Sequence, residues 1–120
     1  ERHYHTMLEH FYQLGIQPDW WKLPPLSSAS WEKIAGLIAR EDPWCRGILL
    51  LGLDAPSDRL RAGFAEAAGH PIIKGFAVGR TIFGQPSRRW MAGELSDEAL
   101  IGEVKQNYLR LIDYWREARG

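Results

Sequence analysis

A chain of 120 residues is the size of one domain, and six tryptophans within 45% hydrophobic residues exclude a disordered segment. Fifteen basic and fifteen acidic side chains cancel, which removes the basic field that nucleic acid or an anionic membrane would need. The longest apolar run, residues 47–53, is far too short to cross a bilayer, and the lone Cys45 excludes an internal disulfide. With no signal-peptide pattern legible, a globular cytoplasmic protein is expected, and neither membrane nor nucleic acid is expected as a partner.

In chain order, "HYHTMLEHFYQLG" sets Tyr4, Met7, Leu8, Phe11 and Leu14 at helical spacing, and Gly15 is a natural stop. "IQPDWWKLPP" is short, aromatic and bracketed by prolines, so it reads as a strand of about five residues. "SSASWEKIAGLIARED" returns to helical spacing through Trp31, Ile34, Ala35 and Ile38, with Ser28 as N-cap. "CRGILLLGL" is a continuous apolar run, the pattern of a strand buried on both faces. A helix follows in "SDRLRAGFAEAAG", then a third buried strand in "PIIKGFAVG". A short helical piece is predicted over residues 87–92. Ser96 then caps a long final helix with the stripe Leu100, Val104, Leu111, Ile112 and Trp115.

Strands alternating with helices of this length imply right-handed parallel βαβ units, hence an α/β fold in one domain over residues 1–120. Three parallel strands would leave two hydrophobic edges open, and a closed barrel needs eight. The expectation is therefore a portion of a larger barrel, completed by an N-terminal half, or else by a second copy of the chain.

Two loops suit an anion. "LLLGLDAPSDR" offers Gly52 before a helix start, and "GFAVGRTIFG" offers the Gly79 N–H beside the Arg80 guanidinium. The same glycines would equally serve tight turns. Lys22 falls at the C-terminal end of the "DWWKL" strand, where barrel enzymes place reacting groups. Alternation sets Trp20 on its face, an apolar neighbour favouring the neutral amine that a Schiff base requires. A lysine that snorkels from a strand end fits the same position. Lys74 is expected to point toward the helix layer as a structural residue. His3 and His5 fall on different sides of a helix, which with His10 predicts no metal site. His70 precedes Pro71 on the face that serves stability, Cys45 reads as a small buried side chain, and Asp54 and Asp58 read as helix N-terminal residues.

"FYQLGIQPDWWKLPP", "CRGILLLGLDAP" and "KGFAVGRTIFGQPSRRWMAGE" together resemble the aldolase-like domain fused behind the sugar kinase in bacterial 5-dehydro-2-deoxygluconokinases of myo-inositol catabolism. The similarity spans nearly the whole chain and matches the C-terminal part of that domain. More distantly, the chain is similar to class I tagatose 1,6-bisphosphate aldolases, which are (βα)8 barrels. The resemblance implies the C-terminal portion of a (βα)8 TIM-type barrel. Lys22 would be the Schiff-base lysine and Gly52, Gly79 and Arg80 the grip on a substrate phosphate, with neither metal nor cofactor. It further implies a phosphorylated sugar acid, 6-phospho-5-dehydro-2-deoxygluconate, as substrate, and an upstream kinase domain as a partner. One departure stands out. Those aldolases carry a glutamate two residues after the lysine, where this chain has Pro24. A module that binds a phosphorylated metabolite without catalysis is the alternative that Pro24 keeps open.

Overall fold

The computed structural model describes residues 1–120, apart from the side chain of Arg2. Eight elements follow one another: α1 (Arg2–Gln13), β1 (Trp20–Leu23), α2 (Ser28–Glu41), β2 (Gly47–Leu51), α3 (Ser57–Ala67), β3 (Ile73–Ala77), α4 (Arg80–Met91) and α5 (Asp97–Arg119). The three strands form one parallel sheet in the order β1-β2-β3, so the expected alternation of strands with helices is observed.

The apolar pattern of each strand settles which face is covered. Trp21 and Leu23 of β1, Ile48 and Leu50 of β2, and Ile73 of β3 are buried together with Leu8, Trp31, Ile34, Leu37, Leu60, Phe64 and Leu111 from the helices. Phe76 adds an aromatic nest, with its ring centroid 5.1 Å from that of Phe64 and 6.0 Å from that of Trp115. The other face carries Trp20, Lys22, Leu49, Leu51, Gly75 and Ala77, which are exposed or only half-buried. β2 and β3 were expected to be buried on both faces. The structure corrects this, because the helices cover one face only.

A second correction concerns Lys74. Ile48 pairs with Ile73 but Leu49 pairs with Gly75, so Lys74 is the extra residue of a β-bulge. A Cβ at Gly47 would lie 2.6 Å from Lys74 Cγ and 3.4 Å from the Trp20 ring, which puts Lys74 beside Trp20 on the open face. The bulge has cancelled the alternation that assigned Lys74 to the helix layer. Gly47 itself has a φ of +145° and no room for a side chain.

The third correction is at α4, which starts at Arg80 and not at residue 87. Pro86 lies inside it and cannot donate to the Ile82 carbonyl one turn back. Asn107 of α5 supplies the missing donor, its Nδ2 bonding to Ile82 O at 2.8 Å. The helix survives its proline because a neighbouring helix completes its hydrogen bonding. At the chain start, Glu1 caps α2: its carboxylate accepts from Ser27 N (3.2 Å), Ser27 Oγ (2.6 Å) and Ser30 Oγ (2.8 Å). The N-cap of α2 is Ser27, one residue earlier than expected.

Two outcomes are expected. Asn107→Ala lowers unfolding stability in urea by about 1–3 kcal/mol, because the Ile82 carbonyl loses its partner. In a Pro86→Ala background, where the backbone N–H is restored, the same substitution costs clearly less; equal losses would disprove the coupling. The Ser27 hydroxyl, then the Ser30 hydroxyl and the Ser27 N–H, hold the Glu1 carboxyl below its ordinary value of 4.5. Its stabilisation is thus complete above that value and is lost as pH falls through the lowered one. Thermal midpoints between pH 6 and 2 should fall less steeply in Glu1→Gln than in the parent.

Candidate functional site

The C-terminal edge of the sheet is where three strands release their chain, and each connection behaves differently. Lys22, the penultimate residue of β1, lies in one row with Leu49 and Gly75 on the open face. It is exposed, and its neighbour Trp20 is 41% exposed. The apolar enclosure expected around this lysine is not supplied by residues 1–120. Beyond β1 the chain leaves the edge: Pro25 packs against Gly63 in α3, and Ser28 N donates to Glu66 Oε2 at 2.8 Å. The Ser28 hydroxyl meets His70 Nε2 at 2.9 Å, so His70 has a structural contact.

After β2, residues 52–56 form a tight turn in which Ala55 N bonds to Gly52 O at 3.0 Å. Leu53 and Asp54 take left-handed backbone angles, φ +50° and +60°, which L side chains adopt at a cost. Thr81 of α4 pins this turn, its hydroxyl donating to Ala55 O at 2.7 Å. A Cβ at Gly52 would lie 2.8 Å from Val78 Cγ1, and one at Gly79 would lie 3.0 Å from the Phe83 ring. A side chain at Gly52 would force Val78 to move, while one at Gly79 would press on the half-exposed Phe83 ring. No side chain caps α3 or α4, whereas Ser27 caps α2 and Ser96 caps α5. The first N–H groups of α3 and α4, at the strand ends, lack intrahelical partners and remain available to an acceptor.

Gly52 and Arg80 line different clefts. The first, of about 590 Å³, runs from residues 25–27 across Gly52 and Leu53 to Arg59 and Glu66. The second, of about 310 Å³, lies where the β2–α3 turn, α4 and α5 meet, and Arg80 lines it with Asp54, Arg88 and Arg110. Ala55 and Pro56 form the wall between them. Arg88 and Arg110 were not singled out from the sequence. The signal was present, since Arg80, Gly84 and Arg88 repeat every fourth residue, but it becomes readable only once α4 runs through Pro86.

Two of the remaining candidates, His5 and Cys45, have contacts within the chain. His5 Nδ1 faces Glu9 at 3.6 Å, and among the described residues no group of three His, Cys, Asp or Glu could hold a metal. Cys45 is half-buried, and burial pushes its thiol above the ordinary value, with Asp42 and Asp19 adding to the rise. Asp42 is 3% exposed, its Oδ1 accepting from Trp44 N at 3.2 Å. No described helix is long and apolar enough to cross a membrane.

A parallel α/β sheet layered on one face, with two uncapped helices at its C-terminal edge, defines the class of protein. A family model described as "Uncharacterized protein conserved in bacteria (DUF2090)" matches residues 1–119, and the chain belongs to that family. No curated protein and no solved structure matches it.

For Cys45, alkylation by iodoacetamide at pH 8 should run several-fold slower in the folded chain than in urea, followed by intact mass. Equal rates would contradict the burial of the thiol.

Proposed function

We propose that the chain is the C-terminal portion of a (βα)8 barrel that acts as a Schiff-base aldolase on a phosphorylated sugar acid. On this reading the substrate is 6-phospho-5-dehydro-2-deoxygluconate, cleaved to dihydroxyacetone phosphate and malonate semialdehyde. The observation that carries it is the position of Lys22. It projects from the uncovered face of a parallel sheet, near the strand ends at which the uncapped helices α3 and α4 begin.

The amine of Lys22 adds to the substrate ketone and water leaves, giving an iminium. A base removes the proton of the hydroxyl on the carbon β to the iminium, the bond between the α and β carbons breaks, and its electron pair passes into the iminium to give an enamine. The semialdehyde departs, the enamine carbon takes up a proton, and water returns to release dihydroxyacetone phosphate and the free lysine. Pro24 supplies no acid or base at its position, so the proton relay belongs to other strands of the barrel. The open-face row Lys22, Leu49 and Gly75 would then become the barrel interior. Gly79 and Arg80 would hold the phosphate with the first turn of α4, and Gly52 would shape the neighbouring loop.

A second reading, a module that binds a phosphorylated metabolite without catalysis, is favoured by Pro24 and by the arginines around Arg80. Borohydride trapping with dihydroxyacetone phosphate, followed by peptide mass spectrometry, separates the two. The aldolase reading expects a reduced adduct on the peptide containing Lys22, absent in Lys22→Ala. Phosphate binding that depends on Arg80, with no adduct at all, would overturn catalysis and leave the binding module.

A further inference from the structure

The cleft between the β2–α3 turn, α4 and α5 is lined by three arginines, Arg80, Arg88 and Arg110, and by a single acidic residue, Asp54. Two arginines of the helix layer pair with acids: Arg61 Nη2 lies 2.9 Å from Glu117, and Arg89 Nη1 lies 3.0 Å from Glu103. Among the described residues no ion pair involves Arg80, Arg88 or Arg110. An anion drawn among these exposed like charges would relieve their mutual repulsion. The local geometry favours this convergence. Arg80 and Arg88 flank Gly84 on one face of α4, and a Cβ there would sit 3.6 Å from both Arg80 Cβ and Arg88 Nη1. Arg110 enters from α5, which the Asn107–Ile82 bond holds against α4. Ser57 and Gln85, whose hydroxyl and amide can donate, complete the lining.

We propose that this cleft is a binding site for a small phosphate monoester, held by Arg88 and Arg110 together with Arg80. Three positive groups against one negative leave a surplus of two, matching a phosphate dianion. A volume of about 310 Å³ suits a small metabolite, and a chain with equal numbers of acidic and basic residues offers no extended track for a nucleic acid. α5, whose Trp115 packs on Phe76, lies on the covered face of the sheet, so the cleft belongs to the helix layer while Lys22 stands on the open face. The inference therefore goes beyond the aldolase reading and shares only Arg80 with it.

Calorimetric titration of the intact chain with inorganic phosphate, and then with glycerol phosphate, tests it at about 0.15 M chloride, where diffuse charge attraction is screened. Saturable one-to-one binding is expected. Arg88→Gln and Arg110→Gln should each weaken it about tenfold or more, with unchanged circular dichroism because both side chains are exposed. Lys22→Ala should leave it intact, so that failure of the Schiff-base reading and failure of this one are told apart. Absence of saturation in the parent would overturn the proposal. So would wild-type affinity in both Arg88→Gln and Arg110→Gln, even if Arg80→Gln abolished binding, since the anion would then sit at the strand end. An oligonucleotide that binds where neither phosphate nor glycerol phosphate does would also overturn it.

Discussion

The packing of Phe76 against Phe64 and Trp115 is the contact on which the arrangement depends, because it seats the edge strand β3 under α3 and α5 together. Phe64 and its neighbours Leu60 and Ala67 are wholly buried, and Leu111 brings α5 into the same core. Arg119 closes the layer, its guanidinium 4.3 Å above the Trp115 ring while it donates to the Ile73 carbonyl. Everything apolar enough to be hidden by these helices lies on one side of the sheet. The opposite side keeps its row of Trp20, Lys22 and Leu49 uncovered, which gives Lys22 access to anything that approaches that face.

The N-termini of the helices are treated unequally. α2 is closed by Ser27 with the Glu1 carboxylate, and α5 by Ser96, whose hydroxyl accepts from Ala99 N at 3.1 Å. α3 and α4 start instead behind Pro56 and Gly79, which offer no side-chain acceptor. The left-handed pair Leu53 and Asp54, the Val78 contact over Gly52 and the Thr81 bond to Ala55 join these two starts into one rigid corner. Strain and unfilled donors in the same corner are a combination that protein surfaces favour where a ligand binds. The three arginines gather on the helix-layer side of it.

Local sequence pattern revealed the strands and most helices because their signals are short-range. "WWKL" is short, aromatic and set between prolines, "GILLL" is continuous and apolar, and Trp31, Ile34 and Ile38 recur at helical spacing. Lys22 and Arg80 stood out for the same reason, each sitting where a strand ends. Arg88 and Arg110 did not, since one lies beyond a proline that signals a break and the other on a different helix. Lys74 was misplaced because a bulge depends on the register with β2, which no window along β3 contains.

Residue order by itself determined an α/β chain, a parallel sheet and a single thiol with no disulfide partner within residues 1–120, since periodicity and composition are properties of neighbouring residues. Tertiary structure decided which face of that sheet is covered, because burial is set by where the helices dock. It also decided that α4 continues past Pro86, because the carbonyl left free is bonded by an amide from α5. And it separated Gly52 from Arg80 into two clefts, because residues 55 and 56 stand between them.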